Sequence, residues 1–158
     1  MCIRDRNNSD AFNSLGTVFA ELGELQKAKS CYEKSIQIDT NYAEAHNNLG
    51  IVFKELGEFQ KAVDCYEKAI QIRPDRIEDV YVSLGLVFKE LGEPQKAISC
   101  YEKAIEVQPN YAEAHNNLGL VFYELGEHQK AMSCYETVSY THLRAHETLR
   151  YRGGRGGG

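Results

Sequence analysis

Four of the five cysteines, Cys31, Cys65, Cys100 and Cys134, each stand directly before a tyrosine, at separations of 34, 35 and 34 residues. Thiols can form disulfides, bind zinc or act as nucleophiles, and the spacing decides among these uses. One position copied at such an interval is not the clustered arrangement of a zinc site. Equivalent residues of stacked units would lie about one repeat apart, beyond the ~7 Å Cα separation that a disulfide tolerates. The expected role is a small apolar packing residue, and reduced thiols suit a cytoplasmic protein. Asp64 and Cys65 are adjacent, so on a helix they point different ways. Catalysis needs a nucleophile, a base and an orienter held together. Residues spaced one per copy do not converge, so neither enzyme activity nor a cofactor is expected. His142 and His146 have the four-residue spacing of a helical metal pair, but the segment holding them is set aside below, and no metal is expected.

A second set of side chains is suited to recognition. Asn13, Asn47 and Asn116, with Val82 in the same place, are followed at once by Ser14, Asn48, Ser83 and Asn117. An Asn side chain offers both a donor and an acceptor, so a column of them could pair with a peptide backbone or with its own neighbouring unit. Lys54, Lys89 and Tyr123 share a position a little further on and could add charge or stacking, although a solvated face accounts for the lysines equally well. Val82 apart, these ten residues are candidates for contact with a ligand.

The elements that must position them follow from a repeat of about 34 residues. Leu15-Gly16, Leu49-Gly50, Leu84-Gly85 and Leu118-Gly119 are each followed three residues later by Phe19, Phe53, Phe88 or Phe122. A second Leu-Gly-Glu comes next, at Leu22, Leu56, Leu91 and Leu125. Then Ala28, Ala62, Ala97 and Ala131 each precede Tyr32, Tyr66, Tyr101 or Tyr135 by four residues, and Pro74 and Pro109 close two of the units. Leu49, Phe53 and Leu56 recur at steps of four and three, which predicts one apolar helix face. Gly57 predicts its C-terminal cap. Ala62, Tyr66 and Ala69 share a face of a second helix, on which Pro94 in the third unit suits the first position. Each unit is a helical hairpin that cannot bury its apolar face alone, so neighbours stack into a solenoid.

The pattern L-G-x2-aromatic, A-x3-aromatic, Pro resembles the tetratricopeptide repeat (TPR) family, over about four-fifths of the chain. The resemblance implies an all-α, right-handed α-solenoid of stacked antiparallel hairpins, with units at about 9–42, 43–76, 78–111 and 112–136, the last one truncated. It also implies that first helices line a concave groove that binds an extended peptide or partner protein. The Asn-Asn-Leu-Gly of repeats two and four is similar to the asparagine ladder in the superhelical arm of protein O-linked glucosaminyltransferases, with serine in repeats one and three here. The alternative function is accordingly a targeting arm of a larger enzyme, for example a glycosyltransferase. Family members that clamp a C-terminal carboxylate use groove cations, whereas the helix starts here carry Asp10, Glu44, Asp79 and Glu113, so that activity is not expected. His46 and His115 stand where the family prefers Trp, and packing against the preceding hairpin is their expected role.

Residues 1–6 and 137–158 stand outside the repeat and are expected to be translated adapter DNA. Met1–Arg6 can be encoded by ATGTGTATAAGAGACAG and a purine, and the reverse complement of those bases, after one A, encodes Thr137–His142. This resembles a transposon end used in sequencing libraries. The competing reading is a genuine Arg/Gly tail able to touch RNA. Over the whole 158 residues, 18 basic against 23 acidic residues give a formal charge of −5, and 42% of residues are hydrophobic. Segment 7–136 keeps 12 basic and 21 acidic residues, a charge of −9. Such acidity argues against nucleic acid, and no run approaches the ~20 apolar residues of a membrane span. End-to-end self-association of exposed solenoid ends is the remaining partner expectation.

Overall fold

In the computed structural model the described residues are 2–140, so His142, His146 and the Arg/Gly-rich end lie outside them. Seven helices are complete: α1 Ile3–Glu21, α2 Leu25–Ile38, α3 Ala43–Glu55, α4 Phe59–Ile72, α5 Ile77–Glu90, α6 Pro94–Val107 and α7 Ala112–Glu124. An eighth, α8, runs from residue 128 to the last described position, 140, and no strand occurs among the described residues. The architecture is an all-α solenoid of antiparallel hairpins, α1/α2, α3/α4, α5/α6 and α7/α8.

The hairpin turn is built identically in each unit. Gly57 has φ +78°, a left-handed conformation that a side chain would disfavour. Its N–H donates to the Lys54 carbonyl at 3.0 Å, and that of Glu58 donates to Phe53 at 2.8 Å. Those are the two bonds that close a Schellman C-terminus. Glu58 then pairs with Lys61 at 2.5 Å, and the Lys61 ammonium sits 5.6 Å from the Phe53 ring centroid. The same Glu–Lys–Phe grouping recurs at Lys27, Lys96 and Lys130. Exposed as these pairs are, each contributes little. Their regularity instead orders the turn.

Burial between the helices is what holds a hairpin together. Ala62, Tyr66 and Ala69 of α4 are fully buried against Leu49, Val52 and Phe53 of α3, and α6 repeats the arrangement with Ala97, Tyr101 and Ala104. Cys31 and Cys100 are buried, while Cys65 and Cys134 are partly so, and all are free thiols. Burial, and after it the Asp64 carboxylate, pushes the Cys65 thiol up to about 12. Burial pushes Cys100 up to about 11, so neither is a thiolate nucleophile at neutral pH.

Each helix packs on its sequence neighbours. In addition α1 touches α3, α3 touches α5 and α5 touches α7, whereas no two of the second helices α2, α4 and α6 meet. First helices therefore lie on the inside of a curve and second helices on the outside. Leu15 and Val18 of α1 are 45% and 51% exposed, while their counterparts Leu49 and Val52, covered by α2, are 6% and 1% exposed. Two boundaries differ from the repeat pattern. α1 begins at Ile3, ahead of Ser9, and its residues 3–8 are all exposed. α8 continues beyond Glu136, because helix propagation needs only local bonds once a nucleus exists.

Candidate peptide-binding groove

Facing the inside of the curve, α3 presents Glu44, Asn47, Asn48, Ile51, Lys54 and Glu55 at three- and four-residue steps. Bonds between successive first helices show that these faces adjoin. The Asn48 amide Nδ2 donates to Asn13 Oδ1 at 3.0 Å, and the Asn13 amide donates to Tyr42 Oη and Glu44 Oε1, each at 3.3 Å. On the far side of the array the Lys89 ammonium of α5 pairs with Glu124 of α7 at 3.0 Å.

The ten candidates divide by how much of their bonding capacity is used. Asn13 is 3% exposed and fully engaged in joining the first two repeats. Asn48 is half-buried and bound to it. Lys89 is occupied by Glu124, whereas half-buried Lys54 has no ion-pair partner among the described residues. Ser14 and Asn116 are exposed, and Asn117 is half-buried. Tyr123 is 59% exposed, its ring meeting His128 edge-on at 5.4 Å between centroids. Asn47 and Ser83 are half-buried. His46 and His115 each place Nε2 on the carbonyl six residues back, Thr40 at 3.0 Å and Pro109 at 2.8 Å, so both rings are tied to the connection preceding their own helix.

Two residues not anticipated from the sequence complete the lining. Tyr42 sits beside Asp10, Asn13 and Glu44, and burial followed by Glu44 pushes its phenol up to about 12. Tyr111 donates to Asp79 and, at 3.2 Å, to Glu113, and its phenol is raised by burial and then by these carboxylates. Both tyrosines stay protonated donors at any physiological pH, so each ties two successive first helices through carboxylates at one position of the repeat. The identical hexapeptides 41–46 and 110–115, Asn-Tyr-Ala-Glu-Ala-His, were the available signal.

The junction between repeats two and three lacks this tie. Ile77 stands in place of the tyrosine, one additional residue lengthens the connection, and Arg73 takes a left-handed φ of 69°. Arg76 turns back onto Asp79 at 2.8 Å. A cleft of about 640 Å³ opens there, with Tyr42, Glu44, Asn47, Arg76 and Asp79 among its walls. Asn47 Oδ1 is buried with no hydrogen-bond partner among the described residues. The reason is the residue type one repeat on: Asn48 reaches back to Asn13, but its counterpart Ser83 is too short to do the same for Asn47. We expect Ser83→Asn to supply the donor and stabilise the chain by about 1 kcal/mol. Thermal melting should move upward and hydrogen exchange in α3 and α5 should slow; an unchanged or lowered midpoint would show that Asn47 needs no such partner.

An inner face of polar, apolar and aromatic side chains on a curved stack of hairpins defines a helical-repeat protein of the protein-interaction class. A model described as TPR repeat matches residues 16–57 and 85–126, more than half the chain, and one described as tetratricopeptide repeat matches 43–76. The chain belongs to the tetratricopeptide repeat family. None of the curated proteins compared matches it. Among solved structures it is similar to MamA, with 29% identity, a TM-score of 0.83, and coverage of 89% of this chain and 82% of that one. It is also similar to YrrB, described as a TPR protein with an unusual peptide-binding site, at 25% identity and TM-score 0.71 over 82% of this chain and 66% of that one. BtubC from P. vanneervenii shares the fold at 22% identity and TM-score 0.80, over 87% and 64% of the two chains.

No helix among the described residues is long and apolar enough to cross a membrane. No group of three or more His, Cys, Asp and Glu among them is placed to hold a metal ion.

Proposed function

We propose that the chain is a non-catalytic interaction scaffold whose concave groove binds an extended peptide or an extended segment of a partner protein. The observation that carries this reading is the division along the groove. Asn13 and Lys89 are spent on holding repeats together, while Ser14, Asn116 and Tyr123 are exposed on the inner face. Exposed amides suit a peptide backbone, and an aromatic ring of few rotatable bonds is a typical anchor for a partner's side chain. That a protein of similar fold, YrrB, is described as having an unusual peptide-binding site is in keeping with a peptide ligand.

The test is to pan a random peptide library on the immobilised full chain and measure the selected peptides by fluorescence anisotropy. Substituting Asn117→Ala together with Tyr123→Ala should weaken binding about tenfold or more, with helicity unchanged by circular dichroism. A matched change on an outer helix, Glu67→Ala, should leave binding unaltered. Peptides that respond to the outer change, or to neither, would sink the groove reading.

A further inference from the structure

We infer that the groove selects peptides carrying Lys or Arg side chains, an inference that rests on the groove reading and adds the chemistry of its ligand. Twelve of the acids form two repeated sets with different fates. At the start of every second helix the acid is neutralised by a lysine three residues on: Glu24 by Lys27, Glu58 by Lys61, Glu93 by Lys96 and Glu127 by Lys130. On the inner face the pattern is reversed. Asp10, Glu44 and Glu113, which share one position of the repeat, and Glu21, Glu55 and Glu90 near the helix ends are all exposed. None of the six has a salt-bridge partner among the described residues, and only Asp79 and Glu124 of the same two rows do, through Arg76 and Lys89.

Two parallel rows of carboxylates thus flank the amide, apolar and Lys54/Tyr123 positions of the groove. Like charges aligned along a concave face reinforce one another's potential. They act over about 8–10 Å at moderate ionic strength, so the rows reach across the groove rather than only to their own edges. Among the described residues Lys54 is the one inner-face lysine without a carboxylate partner, and it does not reverse the sign. An extended peptide with alternate basic side chains meets one row or both. The cleft between α3 and α5 offers such a side chain the Glu44 carboxylate, its other inner-face acid, Asp79, being paired with Arg76, and Ile77 stands there in place of the tyrosine found at the other junctions.

The peptides selected above provide the probes. They should be enriched in Lys and Arg, bind more weakly as salt rises, and lose about tenfold in affinity when a selected lysine is replaced by norleucine. The triple variant Glu44→Gln, Glu55→Gln, Glu90→Gln should bind the lysine and norleucine peptides alike; Gln keeps the acceptor that Asn13 uses on Glu44, so folding is preserved. Selection of acidic or uncharged peptides overturns the proposal. So does an equal norleucine penalty on native and triple-variant protein. Peptides that lose affinity with Asn117→Ala and Tyr123→Ala yet ignore the triple variant leave the groove standing and remove its charge preference. If no peptide is selected, both readings fall.

Discussion

Replacing Tyr101 by alanine should cost about 3–5 kcal/mol, while replacing it by phenylalanine should stabilise the protein by about 1 kcal/mol. The ring is 0% exposed and packs in the core shared by α5 and α6. Its deletion leaves a cavity that two tightly apposed helices cannot collapse into, so the full transfer and cavity terms apply. The hydroxyl is another matter. Tyr101 Oη is buried with no hydrogen-bond partner among the described residues. In the first repeat the equivalent hydroxyl, on Tyr32, donates to Thr17 Oγ1 at 3.2 Å. In the third repeat the residue corresponding to Thr17 is Leu86, which has no oxygen. The third repeat therefore carries an unsatisfied polar group that its first copy does not. Urea melts followed by circular dichroism, with hydrogen exchange resolved by hairpin, would measure both changes. A destabilised Tyr101→Phe variant would mean that the hydroxyl is bonded in solution.

The second large effect concerns Gly85. In an exposed helix interior, Gly→Ala gains about 1 kcal/mol from propensity. Here a Cβ would lie 2.5 Å from Tyr101 Cε1 and 2.9 Å from Cζ. That ring is enclosed on all sides, so the contact can be relieved only by moving α5 away from α6. Overpacking of this kind costs about 1–3 kcal/mol, and with the propensity gain lost in strain the net change should be a clear destabilisation. The double variant Gly85→Ala with Tyr101→Ala should lose less than the sum of the two, because the added methyl then enters vacated space. A neutral Gly85→Ala would show that the hairpin tolerates a wider spacing and that the glycine is not there for close approach.

Those two residues also mark where the sequence was readable. Gly85 and Tyr101 belong to the recurrent Leu-Gly and Ala-x3-Tyr pattern, and each such pair occurs because a ring and a glycine must fit together. Repetition exposes that constraint directly, so hairpins, turns and the buried faces of α3 to α6 follow from a single chain. Pairings across the stack are less readable. Asn13 and Asn47 occupy the same repeat position, yet one is saturated and the other has an orphan oxygen, because the outcome depends on Asn48 and Ser83 in the following units. The groove role of Tyr42 and Tyr111 was hidden for a related reason: they precede their helices, outside the apolar periodicity, and their partners Asp10 and Asp79 lie about thirty residues back. The left-handed Arg73 had no compositional signal, since glycine or asparagine is the usual marker of that conformation. It arises from the extra residue in the connection before Ile77.

Helices that meet only their near neighbours along the chain give the protein a low contact order, which places its folding among fast, helix-dominated domains, on a scale of microseconds to milliseconds. A ribosome adds about 5–20 residues each second, so one hairpin takes seconds to emerge. Every hairpin can thus form and dock on its predecessor before the next is synthesised, and no part of the core has to wait for a distant segment of the chain.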